Sequence, residues 1–196
     1  PLLFPIQDVY KIADKRVNVG RVEAGTIEVG QEIKIMPGGQ TTKVKTIEKF
    51  LEETTKAVAS ESIGMTTEDA AFLDRGNVVC TPGNEPYITD TIAANMFWMS
   101  KRDFNSNTKL TMRCATQEIS CKIEKIIKRI NSSTLEIIGE NSDTVKNLEI
   151  AEVIIKTKKP IAIKNFNDVE ELGRFVLVHD ENICAGGIIT QMSQVG

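Results

Sequence analysis

A chain of 196 residues with 24 basic and 27 acidic side chains has a net charge of −3 and a sequence pI near 5.4. At 41% hydrophobic and 26% charged it has the make-up of a globular protein, and its longest apolar runs, a few residues each, fall far short of a membrane span. The 10 basic and 12 acidic residues before position 84, against 14 and 15 after it, make neither half a basic module. Nonspecific nucleic-acid binding rests on phosphate neutralisation, so this balance counts against it while leaving room for a local patch.

The chain opens at Pro1 and goes almost at once into the strand-like Phe4-Pro5-Ile6-Gln7-Asp8-Val9-Tyr10. That opening reads as a later domain of a longer polypeptide, the other reading being a short protein that has lost its initiator methionine; no secretory leader is read there. Residues 20–37 carry the clearest pattern. Val22, Ile27, Val29, Ile33 and Ile35 alternate with polar positions, and glycines 25 and 30 break the run. This predicts antiparallel strands joined by tight turns, with Gly25 at positive φ in a two-residue hairpin and Gly30 where the chain swings into the next strand. Residues 41–49 alternate around Val44 and Ile47 with one irregular step, which predicts a bulge. Glu52 to Lys56 reads as a polar loop, Ala57 to Met65 as a strand, Asp74-Arg75-Gly76 as a turn and Val78-Val79-Cys80 as a short buried strand.

Thr81-Pro82-Gly83-Asn84-Glu85-Pro86 has a linker composition and sets the expected division into domains 1–84 and 85–196. Strands resume at Tyr87–Asn95, leading to Phe97-Trp98-Met99. Residues 110–114 and 119–123 form a hairpin by alternation. Ile123, Ile126, Ile127 and Ile130 then fall at helical spacing, with Lys122, Lys125, Lys128 and Arg129 between them. Alone this reads as an amphipathic basic helix suited to acidic partners or membrane surfaces. Its shortness and its isoleucine content favour a bent or bulged strand. A polar loop is expected at Asn141–Asn147, then strands at 150–155 and 159–163, a turn at Asn167-Asp168, and strands at 173–178 and 185–189. Such spacing indicates barrels or sandwiches.

No chemical motif emerges. Cysteines 80, 114, 121 and 184 show no Cys-x-x-Cys spacing and lie away from the lone His179, so zinc is not expected. They read as core residues in a reducing compartment, with a Cys114–Cys121 cross-strand bridge as the alternative. Gly38-Gly39-Gln40-Thr41-Thr42-Lys43 joins two strands instead of opening a helix, so it is no phosphate cradle. His179, Asp180 and Glu181 follow a strand at a turn and suit a solvated loop. Glu52-Glu53 and Glu68-Asp69 read as solvated turns, and Arg75 as a surface ion pair beside a turn or an anion ligand. Trp98 and Met99 are core or interface anchors. Catalytic, cofactor-binding and metal residues: none are assigned, and this chain by itself is not expected to be an enzyme.

Gly20-Arg21-Val22-x-x-Gly25-x-Ile27-x-Val29-Gly30-x-x-Ile33 resembles the opening strands of the second domain of elongation factor Tu-like GTPases, and equally those of the GTPase subunit of bacterial sulfate adenylyltransferase. Asp74-Arg75-Gly76 is similar to the turn closing that domain. Leu172 to Val178 and Ala185 to Ile188 are similar to the last strands of the third domain. Phe97-Trp98-Met99, within Ala94–Lys101, resembles a Val-Trp-Met segment of the sulfate branch, as does the spacing from Phe50 through Ala57, Ala59, Glu61 and Ile63 to Arg75-Gly76. Ala59-Ser60-Glu61 departs from the usual Ala-Gly-Glu/Asp and speaks against a positive-φ turn at Ser60. The resemblance implies an all-β chain of two consecutive small antiparallel β-barrels, of the translation-factor domain II and domain III type. It implies a parent with an upstream GTP-binding domain, which would hold GTP and magnesium and pack on these barrels. The expected function is the barrel region of the sulfate adenylyltransferase GTPase subunit in the cytoplasm, docking the ATP sulfurylase catalytic subunit, with no membrane partner and nucleic acid not expected. The alternative is the tRNA- and ribosome-binding barrels of a translation or ribosome-rescue GTPase; a stand-alone barrel module is a third reading.

Overall fold

Residues 1–50, 52–69 and 73–193 are described by a computed structural model, in which the chain divides into the units Pro1–Pro86 and Tyr87–Gly196. Apart from one helical turn, the regular elements of the described residues are strands. The first unit contains β1 (Leu3–Ile12), β2 (Lys15–Arg21), β3 (Thr26–Glu28), β4 (Glu32–Met36), β5 (Gln40–Lys49), β6 (Glu52–Thr54), β7 (Lys56–Val58), β8 (Ser62–Thr67) and β9 (Val78–Cys80). Pairing in the order β4-β9-β1-β2-β8-β5, with β4 also on β5, closes a ring of antiparallel strands; β6 extends it beyond β5. Closure leaves no free edge within the ring. Inside it Phe4, Ile6, Ile33, Ile47, Met65 and Val79 form one apolar cluster.

The glycines of residues 20–37 take the expected backbone, Gly25 at φ 70° and Gly30 at φ 86°. They do not join paired hairpin strands. Ala24 bridges to Leu3, β3 pairs with β7, and β4 pairs with β5 and β9. The bulge in β5 lies between Val44 and Thr46. Glu52 to Lys56 is strand, not loop: β6 pairs with β5, and Lys56 begins β7. Both strands are marginal to the ring, so most of their side chains face water and read as polar. The expected strand Ala57–Met65 is broken between β7 and β8, where Ser60 has φ 75° and donates its N–H to the Val22 carbonyl at 2.7 Å.

Ser60 therefore keeps a left-handed turn without the glycine that suits it, and Ser60→Gly is expected to stabilise the first unit. Relief of the side-chain clash, about 1 kcal/mol, exceeds glycine's entropic penalty, leaving a gain of roughly 0.5 kcal/mol. Differential scanning calorimetry would read this as a rise of about 2–4 °C. Further on, Asp74 to Asn77 forms the predicted turn with Gly76 at φ 94°. In the linker, Lys34 Nζ lies 2.9 Å from Glu85 Oε1, and chiefly this bond holds the Glu85 carboxyl down to about 2.

The second unit contains β10 (Tyr87–Trp98), β11 (Leu110–Cys114), β12 (Gln117–Asn131), β13 (Ile137–Ser142), β14 (Glu149–Ile163), α1 (Glu170–Gly173), β15 (Arg174–His179) and β16 (Asn182–Ser193). Its ring runs β11-β15-β16-β10-β14-β12 and closes by β11 on β12. The same flank of β12 carries β11 at residues 117–121 and β13 at 126–130, so β13 lies outside the ring. The helical spacing of Ile123, Ile126 and Arg129 has a plain origin: β12 is bulged against β14 at Ile123/Lys125 and again at Ile126/Lys128. Each bulge adds a residue, so the face opposite Ile155, Val153 and Ala151 is visited every third position.

Two other expectations change, and the cysteines follow the core reading in place of the bridge. Residues 150–163 form one strand; its lysine-rich interruption is an irregularity at which Thr89 faces Ile161 and Thr91 faces Lys156. The loop predicted from Asn141 starts later, because β13 runs through Ser142. Cys114 faces Gln117 and Cys121 faces Leu110 across the hairpin, so both are free.

Candidate nucleic-acid and docking surfaces

Strand pairing brings together lysines that are far apart in sequence. On the outer face of the second barrel Lys122 and Lys156 stand directly opposite each other across β12 and β14. Lys158 is exposed two residues beyond Lys156 and Lys125 three beyond Lys122. Lys122, Lys156 and Lys158, with Ser120 and Thr157, wall an open depression of about 360 Å³. Glu124 Oε1 lies 3.7 Å from Lys122 Nζ. Like charges placed directly opposite on a sheet destabilise it, by a few tenths of a kcal/mol up to about 1. An anionic ligand would offset that repulsion.

A second surface is apolar. The outward positions Ile137, Ile130, Ile150, Phe97, Gly186 and Val176 are successive register partners across β13, β12, β14, β10, β16 and β15. Met99, 42% exposed, lies over Gly186, its Cε 3.8 Å from where a Cβ would stand. The neighbouring row is charged, with Lys128 facing Glu140 and Glu152. Alternation sends Trp98 to the other side of the sheet from Phe97. There Trp98 is 1% exposed, meets Phe104 edge-on with ring centroids 5.7 Å apart, and donates Nε1–H to the Arg102 carbonyl at 2.9 Å. Trp98 is thus core, and Met99 is surface.

His179, Asp180 and Glu181 border an open cleft with Lys109, Arg113 and Lys122. His179 Nδ1 is 2.7 Å from the Lys109 carbonyl and Nε2 is 3.3 Å from Asp180 Oδ2; Asp180 and Glu181 form the left-handed turn between β15 and β16. Burial pushes the thiols of Cys114 and Cys121 up to about 12, so both are protonated at neutral pH. Gly39 donates to the Ile35 carbonyl in the β4–β5 turn, and Arg75 is exposed at its own turn. Glu52 and Glu53 sit in β6, while Asp69 Oδ2 accepts the Thr42 hydroxyl. Among the described residues no three His, Cys, Asp or Glu side chains are grouped to hold a metal, and no helix is long and apolar enough to cross a membrane.

Two consecutive closed antiparallel rings define a tandem-barrel protein, the class expected from the sequence. The family described as GTP-eEF1A C-terminal domain-like matches residues 91–190, and elongation factor Tu domain 2 matches residues 15–80. Elongation factor 1-alpha of Natronomonas pharaonis is 31% identical over 195 residues, covering 97% of this chain and 46% of the relative. That of Methanopyrus kandleri is 31% identical over 208 residues, covering 99% and 49%. A crystal structure of sup35 complexed with GDP matches the fold with a TM-score of 0.89 at 19% identity, over 99% of this chain and 48% of that one. The chain belongs to the elongation factor Tu and elongation factor 1-alpha family of translation GTPases, of which it comprises the second and third domains. It spans about half the length of the relatives it matches.

The elongation factor 1-alpha names overturn the sulfate-activation branch, and with it the ATP sulfurylase catalytic subunit as partner. The segment that suggested that branch, Phe97-Trp98-Met99, owes its tryptophan to core packing. The expectation against nucleic acid falls on the same finding, since these relatives are named elongation factors. It rested on net charge, an average that conceals the Lys122–Lys156–Lys158 cluster formed only by register.

Proposed function

We propose that this chain is the RNA-facing barrel pair of an elongation-factor-type GTPase, with the lysine cluster of the second barrel gripping the phosphate backbone of tRNA. The observation that carries this reading is the direct opposition of the exposed Lys122 and Lys156, a repulsion that a phosphate between them would offset. The exposed Lys125 and Lys158 extend the positive strip to either side. In this reading GTP and magnesium are bound, and GTP hydrolysed, on a nucleotide-binding domain outside this chain. The apolar row from Ile130 to Val176 suits that domain as a docking partner. The joint between the barrels falls in the 81–86 linker, giving a first barrel over 1–84 and a second over 85–196, and the protein works in the cytoplasm.

Fluorescence anisotropy with deacylated tRNA over a range of salt tests the phosphate grip. The double variant Lys122→Glu, Lys156→Glu is expected to bind at least tenfold more weakly. Its slope of log K against log salt should be shallower by about 2, one unit per lost phosphate contact. Unchanged affinity and slope would sink the proposal.

A further inference from the structure

We propose that β13 (Ile137–Ser142) is a β-addition site that accepts an extended, basic and apolar segment of a protein partner. It is the terminal strand of its sheet, paired on one flank to β12 and, among the described residues, to no strand on the other. Six residues offer about 20 Å of strand, enough for a peptide of the same length. The strand lacks the lysine or proline that commonly blunts an edge. Ile137 is 54% exposed, Ile138 47%, and Leu135 in the preceding turn 70%. Side chains of both sheet faces thus offer apolar surface beside the open backbone.

Charge selects among extended partners. Residues 134–143 contain Glu136, Glu140 and Asp143 and no basic side chain. None of these carboxylates is among the ion pairs formed by the described residues, although Lys128 stands across from Glu140 in register. The strand leads into an open cleft of about 490 Å³ bordered by Phe104, Asn141 and Asp143. The register shift between Arg129 and Ile130 leaves Ile138 as the extra residue, which shortens the regular ladder but keeps that side chain in solvent. A strand alternating lysine with valine or isoleucine would complete the ladder, cover the isoleucines and meet the acids. Lys122, Lys156 and Lys158 wall a different depression, and Lys125 alone of the positive strip borders the cleft beside Asn141 and Asp143, so the peptide test uses Ile138 and Glu140 and leaves the lysines intact.

The probe is a fluorescent Lys-Val-Lys-Val-Lys-Val peptide added to the full chain, with affinity read by anisotropy and backbone protection by amide hydrogen exchange. Binding should slow exchange at residues 137–142. Ile138→Lys should weaken it at least tenfold while leaving the melting temperature within a few degrees, and Glu140→Lys should weaken it too. A Glu-Val counterpart, and the Lys-Val peptide with N-methylated amides, should not bind. Equal binding of the N-methylated peptide would reduce the effect to charge and overturn β-addition. So would unprotected amides in β13, protection of that strand by self-association without peptide, or preferential protection by a single-stranded RNA.

Discussion

Trp98→Ala is expected to unfold the second barrel at ordinary temperatures or bring it close to unfolding. The side chain is 1% exposed within the cluster of Met96, Phe104 and Val153. Truncation removes an indole and leaves a large void, a change that costs about 3–5 kcal/mol in well-packed cores. It also removes the edge-on contact with Phe104 and leaves the Arg102 carbonyl without the indole N–H. For a unit of this size the loss corresponds to a fall in melting temperature of about 15–30 °C. Met99→Ala provides the contrast. Its side chain is 42% exposed, so its removal should shift stability by less than about 1 kcal/mol. Thermal denaturation followed by tryptophan-independent circular dichroism measures both. Comparable shifts in the two variants would refute the placement of Trp98 in the core.

The second large effect is expected at Glu149. Its carboxylate takes three contacts from Arg129, two at 2.9 Å and one at 3.1 Å, and a fourth from the Lys146 backbone N–H at 2.6 Å. Both side chains are largely withdrawn from water, 9% exposed for Glu149 and 15% for Arg129. Glu149→Ala leaves a guanidinium poorly solvated and unpaired, and should cost about 3 kcal/mol. Replacing both partners, Arg129→Met with Glu149→Leu, removes the charge along with its counter-charge and should return most of that loss. A double-mutant cycle from urea titrations gives the coupling directly. If the double variant is as unstable as the sum of the singles, the pair is not what holds β12 to the start of β14.

What could be read from the sequence follows the range of the interaction. Alternation around Val44 and Ile47, and the glycines at 25 and 30, are local signals, and the strands and left-handed turns they predict are present. The marginal strand β6 reads as a loop because its side chains are exposed or half-exposed, as a loop's are. The isoleucine spacing of β12 imitated a helix because two bulges make a three-residue repeat. The lysine cluster and the Arg129–Glu149 pair were beyond local reading, since each joins residues 20 to 36 positions apart that meet only through strand register. Ser60 shows the opposite failing: the missing glycine argued against a turn that the surrounding hydrogen bonds impose regardless.

Because β11 on β12 is the ladder that shuts the second ring, and β12 stays paired with β14 to its end, β13 alone hangs from the barrel as a tassel. Lengthening, trimming or rewriting that appendage leaves the cylinder's own hydrogen bonding untouched. Evolution and the protein engineer alike can therefore vary it freely, changing what the molecule attaches to without re-solving how it folds.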